Sequence, residues 1–303
     1  METRLSPGLP HQFEMHRSQY PSLFKNKEKL SMAKRVSEMD AKSHGEIVNS
    51  FLELEANYAV HWREVVCRKA WLVGPVGLCN EKLIEQSHRG GGNKSFRTEE
   101  LLQWLDSKHA GSVVYICFGS MANLVISNDQ LMKIAIALKE SDRHFIWVIK
   151  SSDQEDYTDW LHHQRMGSSD TYIKPSSYRG CSHCGWNSTL EAISAGVPMI
   201  TWPMNGDQFF NEKPIVEVLQ VGVTVGAKEG GWYFEERQLI EAETIRSVIE
   251  RVVDEGFEGE AMRNRAKELK EKAEAAMQEG GSSYADIRNL IGELMDRRNE
   301  LLI

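Results

Sequence analysis

The chain has 303 residues, 41% hydrophobic and 26% charged, the balance of an ordinary globular chain with room for about two domains. A net charge of −8 without any long basic run argues against a nucleic-acid surface, and no apolar stretch approaches the ~20 residues of a membrane span. The five cysteines, Cys67, Cys79, Cys117, Cys181 and Cys184, form no disulfide framework, and the first ten residues carry no signal-peptide core; a cytoplasmic location is the expectation.

Residues 1–21 hold two Pro-containing turns and little periodicity, and read as an irregular lead-in. Residues 26–42 are helix-compatible, with Leu30, Met32, Ala33, Val36 and Met39 spaced for one apolar face. A short strand is expected at 45–50, a helix at 53–67, and a strand at 71–75 that ends in a turn. The polar, Gly-rich run 81–97, with Gly90, Gly91 and Gly92, reads as a linker.

A second domain is expected from residue 98 to about 280, followed by a last helix. A helix at 99–106 precedes the apolar run SVVYICF at 112–118, bounded by Gly111 and Gly119 and read as a parallel strand buried on both faces. Gly119 and Ser120 then lie at the carboxyl end of that strand, where open α/β sheets bind ligands; otherwise Ser120 is a plain turn residue. An amphipathic helix at 126–140 and the buried strand HFIWVIK at 144–150 follow. Beyond residue 208 the pattern gives a helix at 214–219, a strand at 221–225, helices at 236–254 and 258–279, and a last helix capped by Ser282 to about residue 301.

The densest chemistry lies at 183–208, HCGWNSTLEAISAGVPMITWPMNGDQ. Ser188 and Glu191 fit a capping box, in which a serine accepts from a helix amide and a glutamate three residues on reaches back. A helix starting near Ser188 would aim free amides and its positive dipole end at the residues before it, which suits a phosphate. The helix should stop at Ala195-Gly196, and Pro198 opens the next strand, 198–202. Strand, Gly-rich turn, helix and strand is nucleotide-binding wiring. The bland readings are a capping box without a ligand, Trp186 as core, and Asp207-Gln208 as a solvated loop. Cys181 and Cys184 suggest half of a zinc site, but no second Cys/His pair of suitable spacing completes four ligands.

This stretch resembles the second half of the signature (PSPG) box of plant family-1 UDP-glycosyltransferases, and the match runs from Ser182 to Val225. The wording of 44–58 and 69–80 resembles the end of that family's N-terminal domain and the start of its linker. The resemblance implies an α/β fold of GT-B type, with residues 1–80 as a remnant of the N-terminal acceptor domain, 81–97 as linker, 98–280 as the UDP-sugar-binding domain and 281–303 as a C-terminal helix that packs back across the linker. It implies that His183 donates to the UDP pyrophosphate, that Trp186, Asn187 and Ser188 line phosphate and sugar, and that Glu191 accepts from the ribose hydroxyls. It further implies that Asp207 and Gln208 bond the donor sugar's hydroxyls and that Ser120 contacts the phosphates. The implied reaction moves a sugar, glucose first, from UDP-sugar to a flavonoid or terpenoid hydroxyl with inversion, without metal or other cofactor. His183, the helix amides and Ser120 would neutralise the departing UDP. The implied partners are UDP-sugar and a small-molecule acceptor, and the implied state is a monomer.

Two departures from the family pattern stand out. The family's catalytic histidine, the aspartate that orients it and the acceptor pocket precede the segments matched here, so none of His11, His16, His44, His61 and His88 inherits the role of base. The front of the box, W-A-P-Q in the family, is also replaced, by LHHQRMGSSDTYIKPSSYRG at 161–180. Met166-Gly167 is encoded ATG GGN, which reads TGG, tryptophan, one base later. Continuing in that frame, codons compatible with 166–180 spell W-A-P-Q-I-L-I-L-N-H-Q-A-I-G. The segment therefore reads as the family's box out of frame, and a loop-like, poorly packed stretch is expected at about 162–180. Strands 45–50 and 71–74 would leave uncovered edges, so the chain is expected to be prone to aggregation. The readings that remain are an impaired glycosyltransferase, a non-catalytic UDP-sugar-binding remnant, and a cysteine-based metal or redox module around Cys181 and Cys184.

Overall fold

The computed structural model describes residues 3–5, 8–20, 27–66, 68–80, 98–119, 126–148, 178–230 and 237–300. The expected linker at 81–97, Ser120 and residues 162–177 lie outside them. The central element is a parallel sheet with, among the described residues, five strands: β5 (Val113–Cys117), β6 (His144–Trp147), β7 (Tyr178–Ser182), β8 (Met199–Thr201) and β9 (Gly222–Thr224). Their order is β6-β5-β7-β8-β9, so the winding reverses direction between β5 and β7. This is the α/β class expected from the continuous apolar runs.

Alternation along β5 builds both faces. Val114 and Ile116 point to one side, where they pack with Leu131, Ile134 and Leu138 of helix α4 (Asn128–Glu140) and with Ile245, Val248, Ile249 and Val252 of helix α7 (Ala242–Val253). Val113 points to the other, against Leu101 and Leu105 of α3 (Thr98–Asp106). Met199 shares the second large core with Leu190 and Ile193 of α5 (Trp186–Ala195) and with Leu269 and Ala273 of α8 (Phe257–Met277). Helices thus cover the sheet on both sides, as a parallel sheet requires. Helix α6 (Gln208–Lys213) and a single π-turn (Pro214–Val218) lead into β9.

Ahead of this domain a smaller unit pairs β3 (Glu46–Val48) in parallel with β4 (Ala70–Leu72), joined by α2 (Leu52–Glu64). It docks through Phe51, which is fully buried in the core that contains Cys184, Leu190 and Ala273. Helix α9 (Ser282–Glu300) fastens the same unit from the far end of the chain. Ser283 Oγ donates to the Gly74 carbonyl at 2.6 Å, and Asp286 Oδ2 accepts from the Leu72 amide at 2.8 Å and from Arg63 Nη2 at 2.9 Å.

Several expectations need correction. The lead-in is not irregular: β1 (Thr3–Leu5) pairs antiparallel with β2 (Glu14–His16), and the alternating Phe13 and Met15 are both buried. The apolar stripe of α1 (Lys27–Asp40) exists but is largely exposed among the described residues; Met32 and Met39 are 65% and 70% exposed. Helix α7 begins at Ala242, not near 236, and residues 237–241 are not helical. The loop expected up to residue 180 ends too late, because Tyr178, Arg179 and Gly180 are ladder residues of β7. A place in the middle of the sheet, between β5 and β8, imposes the extended backbone there whatever the side chains prefer.

Asp286 joins the last helix to the first βαβ unit through two bonds, one to an otherwise unmatched backbone amide. Asp286→Ala should lower unfolding free energy by about 1–3 kcal/mol, the cost of leaving such donors unsatisfied. Urea denaturation measures it; an unchanged midpoint would show that the helix docks without this carboxylate.

Candidate functional site

In a doubly wound sheet the loops leaving neighbouring strands part to opposite faces where the winding reverses, and the gap between them is the binding crevice. Here that gap opens at the carboxyl ends of β5 and β7. Phe118 and Gly119 leave the first strand, and His183, Cys184 and Gly185 leave the second.

The turn after β7 is tightly built. Cys184 adopts a left-handed backbone (φ 61), unusual for a residue with a side chain, and is completely buried. Its amide donates to Ser182 Oγ at 3.1 Å, and its carbonyl accepts from Asn211 Nδ2 at 2.9 Å. Gly185 is the N-cap of α5 and no side chain caps this helix; the Thr189 amide closes the first turn onto the Gly185 carbonyl at 3.0 Å. The expected capping box is therefore not formed. The helix starts two residues earlier than expected, so Ser188 is its third residue. The amides of Trp186, Asn187 and Ser188 have no partner within the helix and lie at its positive end.

His183 fills the gap between the two strands. Its ring sits so close to Gly119 and Gly185 that a methyl group on either would meet it at 2.7 and 2.5 Å respectively. A side chain at either place would force the ring to move. Burial holds the imidazole below its ordinary pKa, opposed by the Cys117 carbonyl and the Asp207 carboxylate. Nδ1 itself is buried without a partner in hydrogen-bond geometry.

The other expected residues fall into two groups around this turn. Trp186, Asn187 and Ser188 form the first turn of α5, and Glu191 follows one turn later on the Ser188 side, exposed. The Trp186 indole donates to the Asn49 carbonyl at 2.7 Å, and Asn187 Oδ1 accepts from Asn49 Nδ2 at 3.2 Å, so both are tied to the loop after β3. Asp207 is the N-cap of α6 and accepts from Asn211 Nδ2 at 2.9 Å. Gln208 Oε1 accepts from the Met204 and Asn205 amides at 2.8 and 3.0 Å, so any ligand bond from this side chain comes from Nε2.

Three further residues of the site belong to none of the motifs. Asn49 joins the two units. Asn211 joins the two loops, and its i,i+4 spacing from Asp207 on a helix is the one signal that points to it. Glu212 is buried and accepts from Thr201 Oγ1 at 2.7 Å, tying α6 to the sheet; burial pushes its carboxyl up, opposed by the Thr201 and Thr224 hydroxyls. The two cysteines face different surroundings. Cys181 and Cys184 belong to different cores, burial pushes both thiols well above the ordinary range, and no group of three metal-ligating side chains occurs among the described residues.

Comparison with known proteins bears on this geometry. Residues 90–231 match the family model of UDP-glucoronosyl and UDP-glucosyl transferases. The chain is 41% identical over 315 residues to UDP-glucose flavonoid 3-O-glucosyltransferase 7 of Fragaria ananassa, an alignment covering 97% of this chain and 64% of that protein. It superposes on Glycyrrhiza uralensis UGT73P12 complexed with glycyrrhetinic acid 3-O-monoglucuronide with a TM-score of 0.87 at 35% identity, covering 99% of this chain and 65% of that one. The chain belongs to the plant UDP-glycosyltransferase family. A second solved structure, Medicago truncatula UGT71G1 complexed with UDP-glucose, superposes with a TM-score of 0.78 at 26% identity over 95% of this chain and 62% of that one. The chain therefore spans slightly under two thirds of the relatives it matches.

His183 supplies a pH test with a definite sign. Its folded pKa lies below the ordinary value, so the fold favours the neutral ring. Its contribution to stability is complete above pH 6.5 and is lost as pH falls from there through the folded value. Glu55 and Glu212, whose pKa values are raised, act in the opposite direction, so the wild-type slope is a sum. The loss of stability between pH 7.5 and 5.5 should be smaller in His183→Gln than in the parent, as thermal unfolding in matched buffers would show.

Proposed function

We propose that this chain is a UDP-sugar-binding unit that uses the β5–β7 crevice and the α5 N-terminus to hold the donor diphosphate. One observation carries the reading: the His183 ring is wedged between Gly119 and Gly185 at the point where the sheet reverses, beside a helix start that no side chain caps. The amides of Trp186, Asn187 and Ser188 with His183 bind the diphosphate, and Ser120 adds a phosphate contact. Glu191 takes the ribose hydroxyls, and Asp207 with Gln208 takes the sugar hydroxyls. The sugar is glucose, in keeping with the name of the Fragaria relative and the UDP-glucose held by the Medicago structure.

The reaction of the family type is a single displacement: an acceptor hydroxyl attacks the anomeric carbon, configuration inverts, and UDP departs. His183 and the helix amides stabilise charge that grows on the diphosphate, without a metal in the scheme. The acceptor is a small plant metabolite of the flavonoid or terpenoid class, and the setting is cytoplasmic. No helix among the described residues is long and apolar enough to cross a membrane.

We further propose that these 303 residues alone bind the donor and transfer sugar poorly. No histidine here matches the family's base, and loss of general-base assistance costs about 10²–10⁴ in rate. Loss of acceptor positioning adds to that. The bare faces of α1 and β3, with Ile47 64% exposed, favour self-association at high concentration.

Calorimetry with UDP-glucose and a turnover assay with a flavonol separate the parts of this proposal. Weak binding that His183→Ala abolishes, with no glucoside formed, is the expected result. Binding unchanged in His183→Ala would remove the donor-site assignment, and brisk glucosylation would overturn the claim of impairment.

A further inference from the structure

Asn211 lies outside the phosphate turn and outside the Asp207-Gln208 pair, yet one atom of it touches both. Nδ2 donates to the Cys184 carbonyl, 27 positions away in sequence, and to Asp207 Oδ2, both at 2.9 Å. An amide nitrogen carries two hydrogens, so the two bonds exhaust it. The residue reaches this position because α6 is anchored from beneath: the adjacent Glu212 is buried and bound to Thr201 on β8. Phe209, on the same helix, is also buried.

We propose that Asn211 is a positioning residue that locks the turn facing the diphosphate to the carboxylate facing the sugar, so that the two ends of a UDP-sugar are read by one rigid frame. This rests on the UDP-sugar reading of the site. The Cys184 carbonyl belongs to a backbone held in the left-handed region, a conformation that persists only when its surroundings enforce it. The bond from Asn211 is one of those constraints, and the Ser182 hydroxyl on the Cys184 amide is another. At the other end the same nitrogen fixes one oxygen of an exposed carboxylate. An aspartate at 211 would keep the size and reverse the chemistry, setting an acceptor against a carbonyl and a second carboxylate.

The test uses the full chain, with Asn211→Ala and Asn211→Asp. Amide hydrogen exchange without ligand is read at Cys184 and Gln208, whose amides are hydrogen-bonded to Ser182 Oγ and the Asn205 carbonyl, and at α4 and α7 as controls. Exchange at Cys184 and Gln208 should quicken about tenfold or more, further in the aspartate variant, while the controls stay as in the parent. In calorimetry UDP-glucose should lose about tenfold in affinity and UDP less, because only UDP-glucose engages both ends. Unchanged local exchange in both variants overturns the inference. Equal losses for UDP and UDP-glucose reduce Asn211 to a general support of the fold and overturn it as well. A parent chain that binds neither ligand, with the exchange result intact, counts against the UDP-sugar reading and leaves the role of Asn211 as a lock standing.

Discussion

The left-handed backbone at Cys184 is the constraint on which the site depends. It turns a central strand into a helix within three residues, and this short path leaves the first amides of α5 uncapped beside the β5–β7 gap. A bulkier or longer turn would either cap those amides or move them away. Everything that touches Cys184 holds this geometry: its buried side chain in the core beneath, Ser182 on its amide, and Asn211 on its carbonyl. His183 follows from the same turn, because the residue before the reversal is directed back over Gly119.

A second tie runs across the molecule. Asn49 uses its carbonyl for the Trp186 indole, its Nδ2 for Asn187, and its Oδ1 for the Val76 amide at 3.0 Å. The small βαβ unit is thereby connected directly to the first turn of α5, and Phe51 two residues later shares its core. Helix α9 closes the arrangement from the other side. The position of the smaller unit is thus set by packing against α5 and by the last helix of the chain.

What the residue pattern reveals, and what it hides, follows from the range of the forces involved. Val113–Cys117 and His144–Trp147 are legible because a strand buried on both faces must be apolar throughout. Gly196 as the stop of α5 is legible because only the left-handed region ends a helix that way, and its φ is 70. Tyr178–Ser182 is much less so: YRGCS carries little strand preference, and its conformation comes from two neighbours in the sheet. The start of α5 is hidden because Ser188 and Glu191 satisfy a local capping pattern that the tertiary turn at Cys184 overrides. Asn49 and Asn211 act through contacts 138 and 27 residues away, which no local window reports. Family resemblance points to Asp207 and Gln208, but not to the hydrogen bonds that hold them.

The proposed recognition is that of a diphosphate by a helix start and a histidine. Calorimetric titration of the chain with UDP and, separately, with uridine tests it most directly. Charge-assisted bonds from three backbone amides and His183 would act only on the diphosphate of UDP, which uridine lacks. The account predicts that UDP binds at least about tenfold more tightly than uridine, a difference of about 1.4 kcal/mol or more. Equal affinity for the two, or tighter binding of uridine, would contradict it.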